Sequence, residues 1–415
     1  MNPVPGIARV AFLAAVGTGL LLTGCASDYV ARTANVRQAY QTGNYPVALA
    51  ELQRQQKEGH DQDTLLYLMD EGMLLHAAGR YQESIPVLAR ADKLAEQLDV
   101  TSVSEEAKSL TTSDRAKWYR GEDFEHVMIN VLQGLNYACL GKTEDALVEE
   151  RRVNEKLLKM INEEKKPFQQ LAIARYLSGV LYEDQGKLDD ALIDYTQAAK
   201  LAALPPDLAE PLLRIAKVSG RDQRLEELLK QFPGVPAEPL APGEGQVVVV
   251  IEEGLAPQKI PDDQKQANAA TPVTVPVFAD RGQASPPDVS VDGGTAGRAA
   301  VVTDLSAVAK IDLNDRIGKL LARQLLGTAV KAGLAVGAAA LTKNEGLGLL
   351  TFWALSLTNQ TDLRSWMSLP AQFDLARYRL PAGPHQVTLQ QNGQTLTQTV
   401  QVQPGRISLW VVRVY

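Results

Sequence analysis

The chain has 415 residues, 45% of them apolar, with 42 Lys and Arg against 49 Asp and Glu for a formal net charge of −7. That length accommodates two or three domains, and an acidic balance without a long basic run argues against nucleic acid as a partner. Only two cysteines are present, Cys25 and Cys139, too few for a disulfide framework, so stability must come from packing.

Residues 1–24 hold one charged side chain, Arg9, ahead of an apolar run from Val10 to Leu22. This is the pattern of a signal peptide, too short to span a bilayer. The run ends in Leu22-Thr23-Gly24-Cys25, where small residues let the chain lie extended in a peptidase cleft and a thiol follows at once. The tetrapeptide resembles the bacterial lipobox, in which Leu22, Thr23 and Gly24 are read by the signal peptidase and Cys25 becomes the acylated first residue. The resemblance implies a covalent diacylglycerol and acyl (palmitate) anchor on Cys25, and more than one chain is what stable anchoring requires. Ala26 and Ser27 follow, with no Asp to retain the protein at the inner membrane, so the outer membrane, facing the periplasm, is the expected location. No later run reaches 18 uncharged apolar residues, so no conventional membrane-spanning helix is expected.

From residue 25 to 233 apolar residues recur with helical period, punctuated by Gly43-Asn44-Tyr45, Gly79-Arg80-Tyr81, Gly141-Lys142-Thr143, Gly186-Lys187-Leu188 and, more weakly, Gly220-Arg221-Asp222. Seven residues before three of these turns stand Gly72, Gly134 and Gly179, and three further on stand Leu75, Tyr137 and Tyr182. Glycine inside a helix costs about 1 kcal/mol, so three at one register predict close helix packing. Ala91 and Ala198 fit the same scheme in the second helices. The pattern resembles the tetratricopeptide repeat (TPR), whose period is 34 residues. The observed spacings of 36, 62, 45 and 34 then place insertions in the second and third gaps, the larger with an extra helix around residues 103–124. The fifth repeat departs from the template at Arg221 and Leu225.

A solenoid of this kind has a concave face lined by first helices, here Met69, Met73, Val131, Leu135, Tyr176 and Val180. That groove is apolar. It suits an apolar peptide or helix of a partner, or this chain's own later segment. The dense phrase Trp118-Tyr119-Arg120-Gly121-Glu122-Asp123-Phe124-Glu125 is either a recognition loop or a packed insertion.

Residues 234–245 are rich in Pro and Gly and read as a linker before a C-terminal domain over 246–415. Gln246–Ile251 reads as a buried strand and Thr271–Phe278, with Pro272 and Pro276, as an edge strand. Residues 281–298 read as a loop and Ala299–Thr303 as a short strand. Residues 312–361 read as an apolar helical hairpin: 11 uncharged residues lie between Lys331 and Lys343, and 16 between Glu345 and Asp362. Gly333-xxx-Gly337 within it matches a close-packing motif of membrane helices. Such a hairpin either packs in the core or joins copies into a ring or membrane insertion. Strands follow at Ala371–Arg379, Gln386–Gln390, Thr395–Val402 and Arg406–Val414, with Gln391-Asn392-Gly393 as a hairpin turn.

The expected fold class is therefore α + (α+β), a TPR α-solenoid followed by a mixed domain with an apolar helical hairpin and a small antiparallel sheet. The four histidines show no metal-ligand spacing, His76 reads as structural and Cys139 as a small buried hydrophobe. Glu252 and Glu253, adjacent on a strand, point to opposite faces and make no acid–base pair. Neither catalysis, nor a metal, nor a cofactor is expected.

The lipobox, the repeats, residues 119–125, Leu135-Asn136-Tyr137, Asn154-Glu155-Lys156-Leu157, Ile251-Glu252-Glu253-Gly254-Leu255-Ala256-Pro257 and Arg364-Ser365-Trp366 together resemble a family of TPR-containing outer-membrane lipoproteins of Gram-negative bacteria. The resemblance implies a cell-envelope protein and no catalytic residues. It leads to a lipid-anchored scaffold contacting other envelope proteins. The alternatives are a subunit of an oligomeric ring or pore built on the apolar hairpin, and a regulator of peptidoglycan synthesis.

Overall fold

The computed structural model describes residues 29–59, 61–100, 118–162, 171–262, 275–318 and 362–415, together with Val336 and Ala340. The lipobox residues Leu22, Thr23, Gly24 and Cys25 lie outside this set, as does all of the apolar stretch from 319 to 361 except those two positions. The chain divides into two compact units, residues 1–59 and 60–415.

The first unit contains α1 (Tyr29–Arg32), α2 (Ala34–Gln41) and α3 (Tyr45–Glu58). Helices α2 and α3 form an antiparallel pair around buried Val36, Tyr40, Ala48, Leu49 and Leu52.

The second unit opens with a 3-10 turn, Asp61–Asp63, and four further helix pairs. They are α4 (Thr64–Ala77) with α5 (Tyr81–Val100), α6 (Asp123–Cys139) with α7 (Thr143–Asn162), α8 (Ala172–Asp184) with α9 (Leu188–Leu201), and α10 (Pro206–Val218) with α11 (Asp222–Gln231). All five pairs, that of the first unit included, turn in the same way. Gly43, Gly79, Gly141, Gly186 and Gly220 have φ between 63° and 73°. The following residue's N–H reaches back five residues to a carbonyl (Asn44 to Ala39, Arg80 to Leu75, Lys142 to Tyr137, Lys187 to Tyr182, Arg221 to Ala216) at 2.8–2.9 Å. That is the Schellman arrangement, which satisfies a carbonyl the helix end leaves open. The weakly written fifth turn adopts it too, although Leu225, where the other pairs carry Ala or Ser, is only half-buried. Of the expected extra helix around residues 103–124, residues 103–117 lie outside the described set; residues 118–122 carry no regular secondary structure and α6 begins at Asp123.

The internal glycines sit where helices touch. A Cβ on Gly72 would lie 2.3 Å from Leu88, on Gly134 2.8 Å from Glu150, and on Gly179 2.7 Å from the Tyr195 ring.

The remaining chain forms two four-stranded sheets and a ribbon. The first sheet has the order β10 (Ile407–Val414), β1 (Glu244–Glu253), β7 (Gln372–Pro381), β6 (Ala300–Asp304). The second has the order β5 (Gly297–Arg298), β4 (Asp288–Val291), β8 (Gly383–Gln391), β9 (Gln394–Val402), and β2 (Gln258–Pro261) pairs with β3 (Pro276–Ala279). The first sheet is mixed rather than antiparallel, because β10 runs parallel to β1. Strands β4 and β5 fall in the stretch that reads as loop, where an Asp-Val-Ser-Val tetrapeptide is too short to show alternation against its Pro and Gly flanks. Strand β3 pairs with β2, as Pro276 confines it to a two-stranded ribbon. A helical stretch over residues 305–318 begins directly after β6, seven residues before the start of the expected hairpin.

The two four-stranded sheets face each other across Val247, Val249, Ile251, Val289, Val387, Leu389, Val400 and Val402. Strand β1 is equally buried on its other side, at Val248 and Val250, which is why it reads as a continuous apolar run. Polar contacts from this far side of the first sheet fall mainly on the first helices of the repeats, with Tyr195 added from a second helix.

Replacing Gly179 by Ala adds helix propensity of about 1 kcal/mol but drives a methyl into an aromatic ring fixed by its own hydroxyl bonds, an overpacking cost of about 1–3 kcal/mol. Gly179→Ala is expected to lower the urea midpoint of the full chain. An unchanged or raised midpoint would show that this glycine has no packing role.

Candidate functional site

Four buried polar side chains of the far face stand on the three adjacent strands β10, β1 and β7: Gln246 and Glu252 on β1, Arg377 on β7 and Arg413 on β10. All are 8% exposed or less. Strand alternation puts Gln246 and Glu252 on the side opposite Val247, Val249 and Ile251. A buried charge must find partners or shift its ionisation: Arg377 and Glu252 find theirs on the repeats, Gln246 accepts from Arg377, and Arg413 donates to the backbone carbonyls of Glu252 and Val414.

Arg377 is the centre of one group. Its Nε donates to Gln246 Oε1 at 2.9 Å, Nη1 to the hydroxyls of Tyr195 (2.8 Å) and Tyr176 (3.3 Å), and Nη2 to Glu183 Oε2 at 2.7 Å. Glu183, at the end of α8, also accepts from the Tyr195 hydroxyl at 2.7 Å and from Arg214 of α10 at 2.6 Å. Burial disfavours the Glu183 carboxylate, yet Arg377 and Arg214 hold its pKa below the ordinary value. Burial likewise opposes the Arg377 charge, and Glu183 more than restores it. Burial, helped by the Glu183 and Asp207 charges, pushes the Tyr176 hydroxyl up to about 12 against the pull of Arg377.

His76 of α4 centres a second group. Ser84 Oγ donates to the Gly72 carbonyl at 2.7 Å, so it accepts from Asn136 Nδ2 at 3.0 Å. The Asn136 oxygen thus faces His76 Nδ1 at 2.7 Å, and Nε2 lies 2.9 Å from Glu252 Oε1. Two acceptors, one at each nitrogen, select the doubly protonated ring. Burial opposes that charge, but Glu252 and Asn136 raise the His76 pKa overall. Cys139 nearby is a half-buried thiol that burial pushes up to about 12.

The third group lies around the start of α6. Glu122 and Glu125 form a capping box. Glu125 also accepts from the Trp366 N–H (2.6 Å) and the Tyr119 hydroxyl (2.7 Å), while burial raises its pKa to about 7. Glu122 pairs with both Lys259 of β2 and Arg316 of the 305–318 helix. Arg364 lies over the Tyr119 ring at 5.3 Å and pairs with Asp63 (2.9 Å) and Asp362 (2.7 Å). Ser368 donates to Asp70 at 2.5 Å. Arg316 and Asp362 bracket residues 319–361, so the chain leaves and rejoins the described fold at one ionic cluster.

Glu253 faces the opposite way from Glu252, into the end of the sandwich. It accepts from Gln372 (2.7 Å) and the Ser285 N–H (2.5 Å), and Gln372 also donates to Asp374 at 2.9 Å. Burial, with Glu253 beside it, raises the Asp374 pKa to about 8.

Met69, Met73, Val131, Leu135, Tyr176 and Val180 are each 1% exposed or less. These six line the core of the second unit, and a partner would reach them only by displacing the chain's own segments. Within the phrase 118–125, Trp118 is 43% exposed while Tyr119, Glu122 and Glu125 are buried. Arg377, Glu183, Arg214, Lys259 and Arg316 carry no sequence motif. The one available signal was charge embedded among aromatics, as in Arg364-Ser365-Trp366 and residues 119–125. Among the described residues no group of His, Cys, Asp and Glu is placed to hold a metal, and no helix is long and apolar enough to cross a membrane.

No family model and no curated protein matches the chain. Among solved structures it is similar to MamA, at 13% identity over 47% of this chain and 91% of the other, with a TM-score of 0.33. It is also similar to the TPR-like repeats of a putative kinesin light chain of Podosopora anserina, at 16% identity over 48% and 90%, TM-score 0.32. A third is the Rap conjugation gene regulator of plasmid pLS20 in complex with the Phr* peptide, at 14% over 47% and 49%, TM-score 0.30. The repeat assignment for this chain rests on the turns and helix contacts given above.

Linkage gives the second unit a pH signature. Asp374 and Glu125, with folded pKa values of about 8 and about 7, and His76, raised above its ordinary value, all bind extra protons in the folded state. Stability therefore falls as pH rises from the ordinary carboxylate range through about 8. Lys259, lowered by burial, acts in the opposite direction above its folded pKa. The urea midpoint is expected to be higher at pH 5.5 than at pH 8, with the gap narrowed by Asp374→Asn. Equal midpoints, or a gap that Asp374→Asn leaves intact, would contradict this.

Proposed function

We propose that this chain is an outer-membrane-anchored, periplasm-facing lipoprotein that acts as a protein-interaction scaffold in a cell-envelope assembly, with the exposed apolar positions Val336 and Ala340 among its contact points. The observation that carries the reading is the cluster of Glu122, Lys259, Arg316, Asp362 and Arg364, which brings described residues from either side of 319–361 to one buried anchor. The inner face of the repeats is taken up by the chain itself, so the interaction element is sought elsewhere. Val336 and Ala340 are helical and exposed, Val336 at 70%. Four residues apart, they share one helix face, and that face is apolar. Tethering through acylated Cys25 supplies the envelope location.

That shared anchor also favours a second reading, in which several copies assemble into a ring or pore through the apolar hairpin expected over 312–361. Two measurements on the native protein separate the possibilities. Cys25→Ala is expected to release the chain from the outer-membrane fraction; a variant that still fractionates there sinks the anchor. Val336→Asp, at an exposed site, is expected to abolish capture of envelope proteins by in-cell cross-linking. Should it instead collapse a discrete high-order oligomer to monomer, the ring is the correct reading, and if it changes neither, the apolar stretch is not the interaction element.

A further inference from the structure

Strands β5, β6, β9 and β10 end the two four-stranded sheets. An exposed sheet edge is a template for another strand, and proteins commonly block it with charge, Pro or brevity. β5 has two residues, one of them Arg298; β6 carries Asp304; β10 carries Arg413. β9, Gln-Thr-Leu-Thr-Gln-Thr-Val-Gln-Val over nine residues, has no charge, Pro or Gly, and residues 394–399 are all exposed.

The hairpin turn fixes which backbone groups that edge offers. Asn392 and Gly393 have φ of 49° and 77°, the type I′ turn of a two-residue hairpin, and Gln391 faces Gln394 across it. In such a hairpin the flanking pair exchanges hydrogen bonds and bonded pairs then alternate. The N–H and C=O groups of Gln394, Leu396, Gln398, Val400 and Val402 therefore point toward β8, and those of Thr395, Thr397, Thr399 and Gln401 point outward. Two contacts agree: the outward carbonyl of Gln401 accepts from Ser408 Oγ at 2.7 Å, and that of Thr399 from Gln398 Nε2 at 3.1 Å.

We propose that β9 is a dimerisation edge, pairing antiparallel with β9 of a second copy about a two-fold axis at Thr397. The strand is its own complement. With that centre, Thr397 faces Thr397 and Thr395 faces Thr399, so the outward N–H groups of these three residues meet acceptors and no like charges meet, while Gln401, whose carbonyl is taken by Ser408, lies beyond the paired segment. Cross-strand Thr pairs are favourable, and Leu396, 38% exposed, lies diagonal to its copy. Two four-stranded sheets would join into one of eight. This pairing is independent of the apolar stretch and of the anchor.

The geometry gives a position-specific test. Residues facing each other in a bonded antiparallel pair have Cα atoms about 5.5 Å apart, within disulfide reach, whereas Thr395 and its own copy are offset by four residues, roughly 13 Å along the strands. Full-length Thr397→Cys and Thr395→Cys are expressed in a Gram-negative host, oxidised in whole cells with diamide and run without reductant, with the wild type setting the Cys139 background. Thr397→Cys is expected to give a disulfide-linked dimer at least fivefold above Thr395→Cys. Thr397→Pro, which removes an outward N–H and the Thr388–Thr397 hydroxyl contact but none of the β8–β9 backbone bonds, is expected to weaken self-association at least tenfold in sedimentation of the detergent-solubilised protein. Equal yields from the two cysteines, no dimer from either, or adducts with other proteins alone would overturn the proposal, as would undiminished association of the Thr397→Pro variant.

Discussion

The second unit depends on one buried guanidinium. Arg377 stands in the middle of a strand, 2% exposed at its side chain, and nothing on its own sheet except Gln246 can satisfy it. Glu183, Tyr176 and Tyr195 belong to repeat helices more than 180 residues away in sequence, and Arg214 on the next pair completes the set. Burying such a group is costly unless its hydrogen bonds are complete. Here they are complete only when the sheet lies against the inner side of the helix pairs. The constraint thus fixes register as well as contact, since shifting β7 by one residue would turn Arg377 into the sandwich.

The same logic recurs at His76 with Glu252, and at Glu125 with the Trp366 backbone. At each point a polar group from the later part of the chain is matched to one first helix. The repeats therefore act less as a groove than as a wall onto which the β domain is keyed. Such a body offers other molecules its outer helix faces, its sheet edges and whatever it holds on the cluster around Glu122. That physical situation, rather than the repeat pattern, is what makes an anchored scaffold the preferred reading.

The helix turns were legible in the sequence because their causes are local. A left-handed glycine followed by an N–H reaching back five residues needs no distant partner, and β1 announced its double burial through five consecutive β-branched residues. Strand β4 was hidden because Asp-Val-Ser-Val owes its pairing to β8, about a hundred residues later. The parallel pairing of β10 with β1 is equally non-local, and the alternation within β10 is silent on direction. The concave-face residues were placed in register by the repeat template, but the template says nothing about what covers them. Arg377 and Glu183 read as ordinary surface charges, because a buried ion pair is defined by two elements meeting and neither carries the information alone.

The most direct measurement of this account is a double-mutant cycle on the full chain, with Arg377→Met, Glu183→Gln and the pair, each unfolded in urea. Groups in one buried network couple by up to about 3 kcal/mol. The account predicts a coupling of at least about 1.5 kcal/mol, within a single transition shared by helical and strand signals. Additive effects of the two substitutions, or separate transitions for helices and strands in the wild-type chain, would contradict it.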